Sequence, residues 1–266
     1  MTSDAHLQYI LRLADNALIL GQRNAEWTGH GPVLEEDIAL SNLSLDLIGQ
    51  ARLLYTHAGQ IEGTLTGTPR TEDDYAYWRA EPAFRNYTLL ELPHAGPMVA
   101  TSAVARDYAV TVVRHFLYAA LMVPLWEALT RSTDTELAAI AAKSVKEMRY
   151  HLAHTRDWLV RFGDGTEESH ARAQAALDWL MPYTNEFFAA DDVETAAAEA
   201  GIGVRPADLR DAWEATVRDA LDEATLRWPE PGPYVSTGKH GVHSEHMGYL
   251  LAEMQGLARQ FPGASW

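Results

Sequence analysis

The sequence has no cysteine, which excludes disulfides, thiolate zinc sites and a cysteine nucleophile, and agrees with a reducing compartment. Basic residues are scarce as well: 21 Lys and Arg stand against 37 Asp and Glu, a formal charge of −16. Such a surface repels nucleic acid and anionic membranes and favours a basic protein partner, so neither nucleic acid nor membrane is expected as a ligand. Alternating β-branched runs are nearly absent, which argues against a sheet. No window reads as a bilayer-spanning segment, and the opening MTSDAHLQYILRLADN carries acid rather than a basic run ahead of its apolar residues; a cytoplasmic location is expected. The fragment GTLTGTP from Gly63 to Pro69 lacks the Lys-Ser/Thr step of a P-loop, and no G-x-S-x-G nucleophile motif occurs.

What is present is apolar spacing of three and four residues along most of the chain, the signature of amphipathic helices. The pattern predicts long helices from Asp4 to Trp27, Glu35 to Ala58, Met98 to Leu129 with Pro124 as a kink, and Thr135 to Phe162. A short helix opened by Thr71 lies between the second and third. Further helices are expected at Glu167 to Phe188, Glu194 to Ala200, Pro206 to Trp228 and Ser244 to Phe261. The Pro- and Gly-rich stretch WPEPGPYVSTGKHGVH before the last helix reads as an extended, ordered or functional loop. The expected architecture is all-α: one domain over 1–266, with a core bundle at about 4–162 and appended helices at about 167–261.

Two lone charges stand out in apolar helices. Asp46 and Arg52 are the only formal charges between Ile38 and His57, and at about 100° per residue Asp46 falls beside Leu43 with Asn42 and Gln50. Arg114 is the only charge between Tyr108 and Trp126. Isolated buried charges are costly unless paired, so Asp46 and Arg114 are expected to pair; the plainer alternative has each reaching solvent at a rim.

The stretch KEMRYHLAH, Lys146 to His154, invites comparison with carboxylate-bridged di-metal bundles, in which two helices give one Glu each and two give Glu-x-x-His. The slots read Asn16 on the first helix, Asp46-x-x-Gly49 on the second, Arg114 on the third and Met148-x-x-His151 on the fourth. A guanidinium at Arg114 would repel a divalent ion and fill its space. The expected reading is a degenerate, metal-free site with an interior polar network of Asp46, Arg114, Glu147 and His151, in which Glu147 sits near the edge of the apolar stripe. His240, His243 and His246 in KHGVHSEHMG are read as loop histidines at a helix start capped by Ser244.

These segments carry a family resemblance. The runs LRLADNALILGQRNAEWTGHGPVLEEDIALSNLSLDLIGQAR, AAKSVKEMRYHLAHTRDWL, AWEATVRDALDEATL and GKHGVHSEHMGYLLAEMQ, in that order and over nearly the whole chain, resemble the C subunits of the multicomponent phenylacetyl-CoA epoxidases of bacterial phenylacetate degradation. The resemblance implies a ferritin-like fold and a structural role without catalytic residues, cofactor or metal in this chain. It implies as partner a related catalytic A subunit that bears the di-iron centre, with NADPH, FAD and iron–sulfur chemistry in a separate reductase, and self-association as a further contact. An independent di-metal oxidase built on Asp46, Glu147 and His151, or a generic helical interaction protein, are the alternatives.

Overall fold

The computed structural model describes residues 3–95 and 106–264. Among them there is no strand, and the chain is all-α. In chain order the helices are α1 (Ser3–Ala25), α2 (Leu34–Thr66), α3 (Glu72–Tyr77), α4 (Thr88–Glu91), α5 (Tyr108–Leu129), α6 (Thr135–Gly163), α7 (Glu167–Leu180), α8 (Asn185–Phe188), α9 (Asp192–Glu199), α10 (Arg210–Glu223) and α11 (Glu245–Gln260). The chain divides into two compact units, one of residues 1–92 with 237–266 and one of residues 93–236. Each is built on a long antiparallel hairpin of helices, the supersecondary element from which ferritin-like bundles are made.

The first unit rests on α1 and α2. The hairpin is antiparallel: a Cβ on Gly21 would lie 3.1–3.3 Å from Ser44, Leu47 and Ile48, whereas His6 meets His57 at the far end. Glu35, Glu36 and Asp37 occupy the first turn of α2, where the helix dipole favours acids. The helix runs two turns beyond the expected end at Ala58. It crosses Gly59 because that glycine serves close packing, since a Cβ there would stand 2.0 Å from the Arg70 carbonyl oxygen. The true stop is Gly67, in the left-handed conformation at φ +79°. Thr71 and Asp74 form a reciprocal capping box that starts α3. Helix α11 begins after Ser244, which caps it as expected, and Gln255 on it donates to the Ala76 and Arg79 carbonyls.

The second unit rests on α5 and α6. Helix α5 starts at Tyr108 with Asp107 as its cap, ten residues later than predicted; residues 98–105 of the expected helix lie outside the described residues, and 106–107 are not helical. Pro124 is inside the helix as expected. Contrary to the sequence reading, α5 is apolar and long enough to cross a membrane, but 89% of its most apolar window is buried within the protein, the usual situation of a helix that is apolar all round. Asp134 caps α6 through two amide hydrogens. Gly163 ends it where a Cβ would meet the Ala224 carbonyl oxygen at 1.8 Å. The predicted helix from Glu167 breaks into α7, a 3-10 turn at Met181–Thr184 and α8, because Pro182 cannot donate to the helical ladder. The helix predicted to reach Trp228 stops at Glu223, and Thr225 takes a positive φ of 55° just beyond it. Trp213 of α10 donates its indole N–H to the Leu117 carbonyl, 2.9 Å away, on α5.

Candidate functional site

The interior of the second unit holds the residues that the sequence comparison with a di-metal bundle singles out on α5 and α6. Arg114 is fully buried. Its Nη2 donates to His94 Nδ1 at 3.0 Å and its Nη1 reaches the Pro93 carbonyl at 3.4 Å. A guanidinium only donates, so His94 Nδ1 accepts and the ring proton belongs on Nε2. The Thr111 hydroxyl, one turn before Arg114, lies 2.6 Å from the same nitrogen.

His115, the next residue on α5, turns toward α6 and places Nε2 3.1 Å from Nδ1 of His151. Both rings are enclosed. Burial pushes the His115 pKa well below the ordinary imidazole range, and the neighbouring His151, Arg114 and His154 push it the same way. One ring therefore donates and the other accepts, with no net charge on His115. Met148, three residues before His151, is fully buried. Glu147 is only half-buried and lies 3.2 Å from Lys143 Nζ, one turn back on the exposed face of α6.

In the first unit, the slots fall out differently. Asn16 is buried and its side-chain carbonyl accepts the Tyr87 amide hydrogen at 2.8 Å. Gly49 has open space where a Cβ would stand. Asp46 is half-exposed rather than enclosed. The buried stripe of α2 follows Leu40, Leu43, Leu47, Gln50 and Leu54, and at about 100° per residue Asp46 lies at its edge. Of the expected interior set, Arg114 and His151 are inside the second unit and Glu147 is at that unit's rim, while Asp46 is at the edge of the buried stripe of α2 in the first.

The fully enclosed carboxylate of the α1–α2 hairpin is Asp15, one residue before the expected slot. It accepts from the Tyr55 hydroxyl, from both terminal nitrogens of Arg79 and from the Arg85 amide at 2.7 Å. Arg79 in turn lies over the Phe84 ring, 4.1 Å from its centroid. Burial raises the Tyr55 pKa well above its usual value, and the Asp15 charge adds to the effect. A second enclosed carboxylate, Glu91, meets His243 in the same unit. Neither cluster is apparent from spacing, because the partners are distant in sequence.

A di-iron cage requires hard oxygen donors from each contributing helix together with imidazoles whose free nitrogens point at the metals. Among the described residues, no carboxylate of α5 or α6 is buried. Their interior offers a guanidinium, a thioether and two imidazoles bonded to each other. Asp15 has its oxygens taken up by Arg79, Tyr55 and Arg85, and Asn16 is engaged by Tyr87. These donors do not fit a di-iron centre.

Comparison with known proteins agrees with the segments noted in the sequence. Residues 1–266 match the family described as phenylacetic acid catabolic protein. A curated relative, the C subunit of 1,2-phenylacetyl-CoA epoxidase from Escherichia coli (strain K12), is 44% identical over 258 residues, which span 97% of this chain and 98% of the relative. Similarity that runs nearly the full length of both chains leaves one conclusion: this chain belongs to the phenylacetic acid catabolic protein family.

Proposed function

We propose that this chain serves phenylacetate catabolism as the non-catalytic C subunit of a multicomponent 1,2-phenylacetyl-CoA epoxidase. In this reading it works in the cytoplasm and packs against a ferritin-like A subunit that holds the di-iron centre. That centre would supply the oxygen-activating chemistry that inserts one atom of O2 into the substrate ring, with NADPH-derived electrons delivered through a flavin and iron–sulfur reductase. This chain would contribute helix faces to the A subunit and, through a further face, to a second copy of itself.

The observation that carries the reading is the donor set of α5 and α6. A buried cation at Arg114, a thioether at Met148 and a mutually bonded His115–His151 pair occupy the interior where a catalytic relative would need carboxylates and metal-facing imidazoles. Within the fill, the Arg114 terminal nitrogens meet His94 and the Pro93 carbonyl, and the two imidazoles meet each other.

Co-expression with the family's A subunit tests the proposal. The two chains are expected to co-purify, with iron in the A subunit, and protein prepared alone from iron-supplemented cells is expected to hold far less than one metal ion per chain. Stoichiometric iron or manganese in the isolated chain, or oxygen consumption by it alone, would overturn the non-catalytic reading. Failure to associate with any ferritin-like A subunit would overturn the scaffold reading.

A further inference from the structure

The first unit is closed by a segment that returns after a long excursion of the chain, and its fastening is ionic. Glu91 ends α4 and is fully buried. One carboxylate oxygen accepts from His243 Nδ1 at 2.8 Å and Asn86 Nδ2 at 2.9 Å, and the other from the amide of Ser244, the N-cap of α11. His243 uses its second nitrogen as well, with Nε2 3.1 Å from the Phe84 carbonyl oxygen. Both ring nitrogens thus face acceptors, and a neutral imidazole can donate only once. The two bonds exist together only in the imidazolium form, whose charge the enclosed Glu91 carboxylate balances. The side chains of both residues are wholly shielded from solvent.

The surrounding charges are consistent with this. On the turn Glu81–Ala83, Glu81 adds a favourable charge toward His243, and its carboxylate lies against α11 at Gly248. Arg85 shares the Phe84 carbonyl, with Nη1 2.9 Å away, and from α1 Arg23 donates to the Glu91 backbone carbonyl at 2.6 Å while pairing with Glu26. In the returning segment Lys239 is buried and His240 is exposed. At the start of α11, Glu245 and His246 lie 3.9 Å apart and partly in solvent. Arg85 and Arg23 beside the pair are themselves hydrogen-bonded to carbonyls, and the carboxylate that answers His243 directly is Glu91.

We propose that the Glu91–His243 contact is a protonation-dependent clasp that holds residues 237–260 to the N-terminal part of the first unit and releases them as the imidazole loses its proton. Loss of the proton removes one of the two ring hydrogen bonds and leaves the Glu91 carboxylate buried opposite a neutral ring. The segment so loosened carries α11, whose Gln255 otherwise ties it to Ala76 and Arg79. Although burial of the ring works against its charge, the hydrogen bond and charge of Glu91, the Phe84 carbonyl and the Glu81 charge outweigh it and hold the His243 pKa above the ordinary imidazole range. For a group raised in the folded state, the stabilisation is complete below the unfolded value of about 6.5 and is lost as pH rises through the folded value. The clasp therefore holds at acid pH up to the ordinary imidazole range and loosens as pH rises above it.

Amide hydrogen exchange on the full chain from about pH 6 to about pH 9, corrected for intrinsic base catalysis, tests the clasp. The opening equilibrium of α11 should rise by about tenfold per pH unit between the imidazole pKa values of the released and docked segment, while α5 and α6 do not follow. His243→Gln should be more open than wild type at the acid end and show no pH step. Equal protection of α11 across the range in the wild type, or a step that survives in His243→Gln, would overturn the proposal. Should the variant not fold, side-chain NMR of wild-type His243 decides instead: a ring already neutral at about pH 6 refutes the clasp, and one still protonated well above the usual range supports it.

Discussion

Asp15 shows what a single enclosed charge costs and how it is kept. Its two oxygens receive Arg79, Tyr55 and the Arg85 amide, and both side chains of the Asp15–Arg79 pair are nearly free of solvent. Removing one partner of a buried pair leaves the other charge without compensation, a loss of about 3–5 kcal/mol. Arg79→Ala should therefore lower the unfolding free energy by that order in chemical denaturation, whereas removal of the exposed Arg149, whose pair with Glu127 lies in solvent, should change it by less than about 1 kcal/mol. An Arg79→Ala protein as stable as wild type would show that the pair contributes nothing net. Attention to formal charge in apolar helices leads to Arg114 and passes over His115 beside it, because a neutral imidazole does not register as a charge. It also passes over Asp15, whose arginine partner is 64 residues away. The local signals are dependable: the Thr71–Asp74 box, the Ser244 cap and the inward positions of Met148 and His151 all follow from neighbours within one helical turn. Polar partners supplied from distant segments leave no such trace.

At the scale of helices, the glycines separate into two kinds, and substitution should tell them apart. Gly59 lets the Arg70 backbone lie against α2; an alanine there would press Cβ to 2.0 Å from a carbonyl oxygen that a side-chain rotation cannot move. Gly59→Ala should cost roughly 1–3 kcal/mol through forced backbone displacement. Gly49 in the same helix has nothing within 4 Å of its missing Cβ, and Gly49→Ala should stabilise the isolated chain by about 0.5–1 kcal/mol. Thermal or urea unfolding of the two variants should give opposite signs. The contrast explains the expected end of α2 at Ala58: a glycine that permits close packing and a glycine that stops a helix look alike in a sequence, and only the segment lying against it distinguishes them. For α5 the reverse holds, since its apolar circumference hides where the first turn is capped, and Asp107 is seen as a cap only once the helix is in place.

Across the whole molecule, two buried histidines respond to pH with opposite signs. His115 in the second unit is held below the ordinary imidazole range by burial and by His151, Arg114 and His154. Such a group stabilises the fold above its unfolded value of about 6.5, and the contribution is lost as pH falls toward the lower folded value. His243 in the first unit is raised, so its contribution disappears in the opposite direction. Stability against denaturant should accordingly pass through a maximum near neutral pH, with His115→Leu flattening the acid limb and His243→Gln the alkaline one. A monotonic profile in the wild type, or identical profiles for the two variants, would show that other groups dominate.

The first unit is also discontinuous along the chain, since residues 1–92 are completed by 237–266 after the whole of 93–236 has intervened. During synthesis at about 5–20 residues per second, the ribosome needs on the order of ten seconds to make that intervening stretch. Through most of that interval α1 and α2 are clear of the ribosome without the helix that later covers Ala76 and Arg79, and Glu91 is without its imidazolium. The early segment is thus a nascent-chain intermediate in which Glu91 keeps Asn86 but still lacks His243 and the Ser244 amide, the moment at which a chaperone or a partner chain would find it most open to capture.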